Sequence, residues 1–471
     1  MFDQFTDLSR IHFIGIGGAG MSGIAEILVD LEKSDLTVTG CDRARSEATE
    51  HLERLGVRIE EGHSPDHLDG VDLVVISSAI AEDNPELHEA RRRGITVVRR
   101  AEMLGELMRL RYGIAVAGTH GKTTTTSLVG TVLTEAEIDP TVIVGGRLRL
   151  LGTGARLGKS QYLVAEADEF DRSFLRLTPV IAVITNIDSD HLDTYGNLQA
   201  IQDAFVEFAS RVPFFGRLIV CLDDPNVQQI LPRVADRRII TYGFSPQADL
   251  SAVDLESHAR GSRFGVRLRG DRRLDRIDLG RIELPIPGRH NVLNALATVG
   301  VGLALRVNFD TIGRALHGFA GVQRRFEQLG TWHGAAVVDD YAHHPTEVAA
   351  TLQAARQTFP AGRVLAILQP HLFSRTRDLA DAFGSALLGA DLAVVTDVYP
   401  SREQPIPGIT GELVADAARR SGHRNVVYCP SWTEAPAFLA DYVQPGDVIV
   451  TLGAGDVNGL AQTLVAEEAA A

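Results

Sequence analysis

Lysine is almost missing from this chain. Of 46 basic residues only Lys33, Lys122 and Lys159 are lysines, and all the others are arginine. The formal net charge is -15 and no basic stripe carries interleaved aromatics, which excludes a phosphate-backbone surface and offers an anionic membrane nothing to attract. Neither nucleic acid nor membrane is expected as a partner. Cysteine is scarce as well. Cys41, Cys221 and Cys429 lie far apart without metal-ligand spacing, so a disulfide framework is excluded, a reducing compartment is expected, and the three read as small core residues. No apolar run approaches the ~20 residues of a membrane span, and MFDQFTDLSR at the N-terminus carries acids where a signal peptide needs a base. These absences together predict a cytoplasmic protein. Internal repeats and low-complexity tracts are missing too, apart from the closing AEEAAA.

What is present is length and an alternation of strand and helix patterns. At 471 residues the chain has room for about three domains of roughly 150 residues, and 45% hydrophobic residues give each a core. Apolar strand patterns at 11–17, 36–42, 71–80 and 94–100 alternate with helical spacing such as MSGIAEILVDLEK (21–33), which predicts parallel βαβ units. AEMLGELMR (101–109) reads as a helical connector. YGIAVAGT (112–119) opens a second series with strands QYLVAEAD (161–168), PVIAVITNI (179–187) and RLIVCL (217–222). An Arg-rich stretch from about 238 to 287, in short alternating pieces, predicts a small inserted sheet. After a helix begun by Pro-Gly at 287–288, AAVVDDY, RVLAILQP, ADLAVVTDV and DVIVTLGAG form a third series. The expected fold class is α/β with three tandem α/β domains. A Rossmann-like domain spans 1–105, a P-loop-type ATPase domain with a small inserted β-sheet spans 106–321, and a Rossmann-like C-terminal domain spans 322–471.

Three sets of residues carry chemistry. GIGGAG (15–20) fits G-x-G-x-x-G between a strand and a helix, with Asp42 ending the next strand, and taken alone it predicts an NAD-dependent oxidoreductase. Its physics is broader, because amides brought close to a pyrophosphate at a helix N-terminus suit any nucleotide diphosphate. GTHGKTTTT (118–126) also follows a strand and precedes a helix, but a standard Walker A loop would have its first glycine where Val116 stands. The shortened loop points to a specialised ATPase class. Its amides and Lys122 suit a polyphosphate, and Thr123 Oγ1 suits Mg2+. In a chain that otherwise uses arginine, a lysine here indicates that a compact point charge is required. AEADEFD (165–171) and NIDSDHLDTYG (186–196) follow strands of the same domain, where Glu166 and His191 offer an oxygen and an imidazole to a divalent metal. In the third domain DDYAHHPTE (339–347) and QPHLFSRTRD (369–378) gather tandem histidines, His371, Arg375 and Arg377, a set for carboxylate or phosphate oxygens. A zinc site at HHP would lack a spaced third ligand. Two nucleotide-type phosphate sites imply ATP and a separate nucleotide-bearing substrate.

In their order and spread over nearly the whole chain, GIGGAGMSGIAE, GTHGKTTTT, EADEFD, NIDSDHLDTYGN, PGRHNVLNALA, DDYAHHPTEV, QPHxxSRT and LGAGD resemble the Mur ligases of peptidoglycan synthesis. Within that family the resemblance is to the members that join L-alanine to the lactyl carboxylate of UDP-N-acetylmuramate. It implies ATP and Mg2+ or Mn2+ as cofactors, a carboxylate attacking the γ-phosphate to give an acyl phosphate, and displacement of phosphate by the alanine amine. By motif position, Gly118, Thr119, His120, Gly121, Lys122, Thr123 and Thr124 would hold the phosphates, Thr123 and Glu166 one metal ion, and His191 a second. His290, Asn291 and Asn294 would contact adenine and ribose, and Arg325 and Asp340 would complete the ATP site. Tyr341, His343 and Arg375 would face the muramoyl group and the amino acid. Gly15, Gly17, Gly18, Ala19, Gly20, Met21, Ser22, Asp42, Ser77 and Ser78 would take UDP. A monomer or weak dimer is expected.

Two departures from the family pattern stand out. Several members have Arg-Tyr after the histidine of QPH, where this chain has Leu372 and Phe373, so a carboxylate contact there is lost or moved. Sister ligases hold the second metal with a carbamylated lysine, and no lysine follows Lys159, so a carboxylate, water or His191 must suffice. The alternatives are the related ligase that attaches a recycled tripeptide to the same sugar, whose first glycine loop differs from GIGGAGMSG, the oxidoreductase, and a nucleotide-binding regulator without turnover. Lys122→Arg conserves charge but puts a planar fork under a tight loop. Steady-state assays should show turnover abolished with folding intact.

Overall fold

The protein's structure, a computed structural model, describes residues 8–18, 20–30, 36–77, 79–144, 155–258, 261–270, 275–401 and 403–470. The first series forms β1 (Arg10–Ile14), β2 (Thr37–Asp42), β3 (Arg58–Glu61), β4 (Leu73–Ile76) and β5 (Thr96–Arg99), a wholly parallel sheet in the order 3-2-1-4-5. β1 and β4 are inner strands covered on both faces; β4 is wholly apolar, whereas β1 starts with Arg10 and carries the buried His12 at its centre. The helix Glu47–Arg54 starts at a Ser46–Thr49 capping box, and Pro85–Arg93 starts at an Asn84 cap and stops at left-handed Gly94.

The second sheet contains β6 (Tyr112–Ala117), β7 (Thr141–Ile143), β8 (Ala155–Arg156), β9 (Tyr162–Ala167), β10 (Ile181–Ile184), β11 (Arg217–Cys221), β12 (Ile239–Gly243), β13 (Leu250–His258), β14 (Gly261–Arg269) and β15 (Arg276–Leu284). Their order is 15-14-13-12-11-10-6-9-7-8. β6 lies between parallel partners β9 and β10, so the ends of all three open on one edge. The strands expected between about 238 and 287 are present, and they extend the sheet from β11; β12 and β13 join through two parallel residue pairs.

The third sheet has β16 (Glu327–Trp332), β17 (Ala335–Asp340), β18 (Val364–Leu368), β19 (Leu392–Val395), β20 (Val426–Tyr428) and β21 (Val448–Leu452) in the order 16-17-21-18-19-20. Only β16 runs antiparallel. The three α/β layers match the expected fold class. By contact density the chain divides into two compact units, one of 1–253, 265–282 and 293–320, the other of 254–264, 283–292 and 321–471. No helix among the described residues is long and apolar enough to cross a membrane.

Behind the acidic loop that follows β9, Phe174 packs at 5.2 Å on Phe205 and 5.1 Å on Phe208, from the helix Leu198–Ser210. Its amide donates to Asp168 O at 3.0 Å, so the same residue anchors core and loop. Phe174→Ala should cost about 3–5 kcal/mol, read as a lower urea midpoint, with faster amide exchange across residues 168–173.

Candidate active site

The loop after β6 is built by backbone geometry. Gly118 has φ +138°, and a Cβ there would overlap Thr185 Oγ1 at the end of β10. Thr185 Oγ1 and Asn186 Nδ2 donate to His120 O at 2.6 and 3.0 Å, and the His120 amide donates to Asn186 Oδ1 at 2.8 Å. The Asp188 amide donates to Thr119 Oγ1 at 2.9 Å, and His120 Nε2 lies 3.2 Å from Asp188 Oδ2. NIDSD therefore clamps GTHG from the neighbouring strand. The helix Lys122–Glu135 begins directly after left-handed Gly121, with Thr123 and Thr124 buried in its first turn. A Cβ on Gly121 would lie 2.6 Å from Asn294 Oδ1, which places Asn294 beside the loop.

Lys122 Nζ donates to Gly118 O at 2.7 Å and Thr119 O at 3.2 Å, and spans both oxygens of Glu169 at 3.0 and 2.9 Å. Burial works against the ammonium charge, but Glu169, Asp168 and Glu166 outweigh it and hold Lys122 above the ordinary lysine range. Burial pushes Glu169 the other way from an exposed acid, up to about 7, with Lys122 opposing. His191, in the left-handed region at φ +54°, brings Nε2 to 3.9 Å from Glu169 Oε1 and 3.7 Å from Asp190 Oδ2, and its ring meets Phe170 edge-on at 5.0 Å. Lys122 and His191 thus meet at Glu169, and Glu166 acts on the same Lys122 charge. Glu169 is the residue that sequence reasoning passed over: it stands in AEADEFD, but beyond the end of β9, where the turn rather than strand alternation decides its direction.

On the third sheet, β17, β18 and β21 run parallel and end on one edge. Asp340 ends β17 buried, accepting from the amides of Phe326 and Ala342 at 2.7 and 2.8 Å; burial pushes it up to about 6 against the charge of Arg325. Arg324 and Arg325 stand 5.0 and 5.1 Å from the Tyr341 ring centroid, a double cation–π contact. Arg324 also holds Asp339 at 3.1 Å and Gly453 O at 2.7 Å, a brace not anticipated from sequence. His343 Nδ1 donates to Tyr341 O at 2.9 Å, which makes Nε2 the acceptor nitrogen of the neutral ring. Its ring lies 5.8 Å from His371, whose Nδ1 is 3.4 Å from Arg375 Nη1. Leu372, at φ +69°, and Phe373 are buried at the start of the helix Phe373–Ala386, so the positions that depart from the family pattern serve packing. Asn291 Nδ2 donates to Pro287 O at 2.7 Å at the start of the helix Arg289–Ala304, with His290 beside it in the first turn.

On the first sheet the amides of Gly15 and Ile16 donate to Cys41 O at 2.8 and 3.0 Å, and the Gly17 amide donates to Asp42 Oδ2 at 2.8 Å. Gly18, Gly20, Met21 and Ser22 continue this turn into the helix Met21–Asp30, and Ser77 Oγ accepts from the Ala79 amide across the end of β4. Ala19 and Ser78 lie outside the described residues.

Comparison with known proteins matches the three layers one by one. The Mur ligase family, catalytic domain, matches residues 10–112, the Mur ligase middle domain 116–302, and the Mur ligase glutamate ligase domain 324–455. UDP-N-acetylmuramate--L-alanine ligase of Sorangium cellulosum is 52% identical over 97% of this chain and 96% of its own length, and that of Salinibacter ruber 51% over 96% and 93%. Among solved structures, UDP-N-acetylmuramate-alanine ligase of Thermotoga maritima superposes with a TM-score of 0.78 at 29% identity, covering 98% of this chain and 99% of that one. A murein peptide ligase of Psychrobacter arcticus gives 0.69 at 27%, over 97% and 98%. With every layer matched and half of the residues shared with curated relatives along nearly the full length, the chain belongs to the Mur ligase family.

Proposed function

We propose that this chain joins L-alanine to the lactyl carboxylate of UDP-N-acetylmuramate, driven by ATP and releasing ADP and phosphate. The observation that carries this reading is the 52% identity to a ligase named for that reaction, over nearly the whole of both chains. The tripeptide-attaching alternative is represented by the murein peptide ligase, at lower identity and TM-score than the alanine ligase structure. The reaction makes no demand for a protein nucleophile. The substrate carboxylate attacks the γ-phosphorus in line, the acyl phosphate keeps the transferred phosphoryl group, and the alanine amine expels it through a tetrahedral intermediate. The protein supplies position and charge.

Lys122 and the amides of residues 118–121 are assigned to the β,γ-phosphates. Three carboxylates, Glu166, Asp168 and Glu169, act on the single ammonium of Lys122, and this excess of negative charge fits a divalent cation. Thr123, Glu166, Glu169 and His191 are the residues assigned to hold Mg2+ or Mn2+, with Glu169 taking the part that a carbamylated lysine plays in sister ligases. When bound, the metal supplies charge neutralisation of the phosphates. His290, Asn291 and Asn294 are assigned to adenine and ribose, Arg325 and Asp340 to ATP, and Tyr341, His343 and Arg375 to the muramoyl and amino-acid groups. The glycine loop with Asp42 and the turn at 77–80 are assigned to UDP. Domain boundaries at 105/106 and 321/322, a monomer or weak dimer, and a cytoplasmic location complete the reading.

ADP release measured with UDP-N-acetylmuramate and each of the twenty amino acids should be strongest with L-alanine, with glycine and serine following, since one methyl is worth only ~1–3 kcal/mol. Release dependent on a tripeptide alone would overturn the assignment, as would tight NADH binding without UDP-sugar binding. Glu169→Gln removes the carboxylate that competes with phosphate for Lys122. Metal-free ADP should then bind roughly tenfold tighter, about the worth of one charged hydrogen bond, while the Mg2+ requirement for turnover rises; calorimetry and metal titration read the two opposite changes.

A further inference from the structure

Beneath the glycine loop of the first sheet lies a second constellation of chemistry-bearing side chains. His12 of β1, Cys41 of β2, His67 of the 3-10 turn Pro65–Leu68 and Glu86 of the helix Pro85–Arg93 each present one donor atom within 4.8 Å of all the others. His12 is 1% exposed, and Cys41 and Glu86 are fully buried. Glu86 Oε2 accepts from Cys41 Sγ at 2.8 Å, and Glu86 Oε1 meets His67 Nδ1 at 2.5 Å and the Ser64 amide at 3.0 Å. His63 Nδ1 stands 3.3 Å from the same sulfur. No lysine or arginine pairs with Glu86 among the described residues.

His12 is held by its neighbour: Nδ1 lies 3.0 Å from Thr39 Oγ1, which in turn reaches Ile11 O at 3.4 Å. Nε2 lies 3.6 Å from Glu86 Oε2, too far for a hydrogen bond, and has no hydrogen-bond partner among the described residues. A buried ring nitrogen and a carboxylate oxygen held apart at this distance leave room for a shared cation, a proton or a metal ion. A ring nitrogen held by an outer-shell hydroxyl, a thiol and a second imidazole around one carboxylate make a nitrogen–sulfur–oxygen donor set suited to a tetrahedral Zn2+.

We propose that His12 Nε2, Cys41 Sγ, His67 Nδ1 and Glu86 form a structural Zn2+ site, with Thr39 and His63 as the outer partners of His12 and Cys41. Donors around tetrahedral zinc lie roughly 3.3–3.7 Å apart, so the Cys41–Glu86 and His67–Glu86 hydrogen bonds lengthen as metal replaces protons. Loading sends the Cys41 proton to solvent and moves the proton of His67 off Nδ1. The site ties β1, β2 and the helix Pro85–Arg93 together directly under Cys41 O, the acceptor that starts the glycine loop.

The test is a Co2+ titration of the metal-stripped full-length protein in excess Mg2+, followed by competition with Zn2+. One Co2+ per chain should bind with a thiolate-to-cobalt charge-transfer band and tetrahedral visible bands, and Zn2+ should abolish both. Cys41→Ser should remove the band and weaken Zn2+ binding on the order of 100-fold, the upper range seen for metal-site substitutions, while Cys429→Ser keeps both. The wild-type spectrum reads the thiolate directly and so decides the matter whether or not a variant folds. Cobalt bound without the charge-transfer band, a band that persists in Cys41→Ser, or no binding at micromolar metal would each overturn the proposal.

Discussion

A lysine ammonium sits at the foot of a helix whose N-terminus is already positive, and the surroundings of Lys122 follow from the need to answer that charge. Glu169 answers it here, spanning the ammonium with both oxygens. Phosphate oxygens offer the same valence in the same direction, so the acid holds the lysine in a phosphate-ready pose. The loop beneath cannot drift, because the end of β10 grips it through Thr185 and Asn186. Rigidity comes from the strand edge and adaptability from one carboxylate. Such an arrangement fits the preorganised electrostatic site that the proposed in-line phosphoryl transfer would require.

The first and third sheets solve related problems differently. At the glycine loop of β1 the backbone does the holding: the Gly15 and Ile16 amides donate to Cys41 O and the Gly17 amide to Asp42. At the edge of the third sheet side chains dominate. Arg324 and Arg325 stack on Tyr341, His343 is fixed in one tautomer by a carbonyl, and His371 leads to Arg375. Planar cations and fixed imidazoles suit carboxylate oxygens, as the amide-forming reading asks.

Much of this was legible in the residues alone. β6, β10 and β18 are buried on both faces and read as near-continuous apolar runs, so each announces itself. β16 and β20 escaped because they are edge strands: EQLGTW alternates in exposure, and VVY is too short to distinguish from a turn. Glu166 was visible as a strand residue near the loop, whereas Glu169 depended on a turn closed by the Arg172 amide on Glu169 O. The cluster of His12, Cys41, His67 and Glu86 was invisible for a different reason. Its members come from four separate elements, and only the parallel order of the first sheet brings them to one point.

The ten-stranded sheet ends on unequal edges, and the inequality bears on how the protein behaves in a crowded cell. At one end the described part of β8 is only Ala155–Arg156. At the other, β15 is nine residues long but reads RIDLGRIEL, with Arg276, Asp278, Arg281 and Glu283 exposed along it and salt bridges from Asp278 to Arg267 and from Glu283 to Arg263. Fixed charges of both signs would have to shed water before a foreign backbone could zip onto that ladder. The arginine-rich stretch thus acts as a gatekeeper against strand-by-strand polymerisation, letting the sheet grow long inside one molecule without recruiting the next.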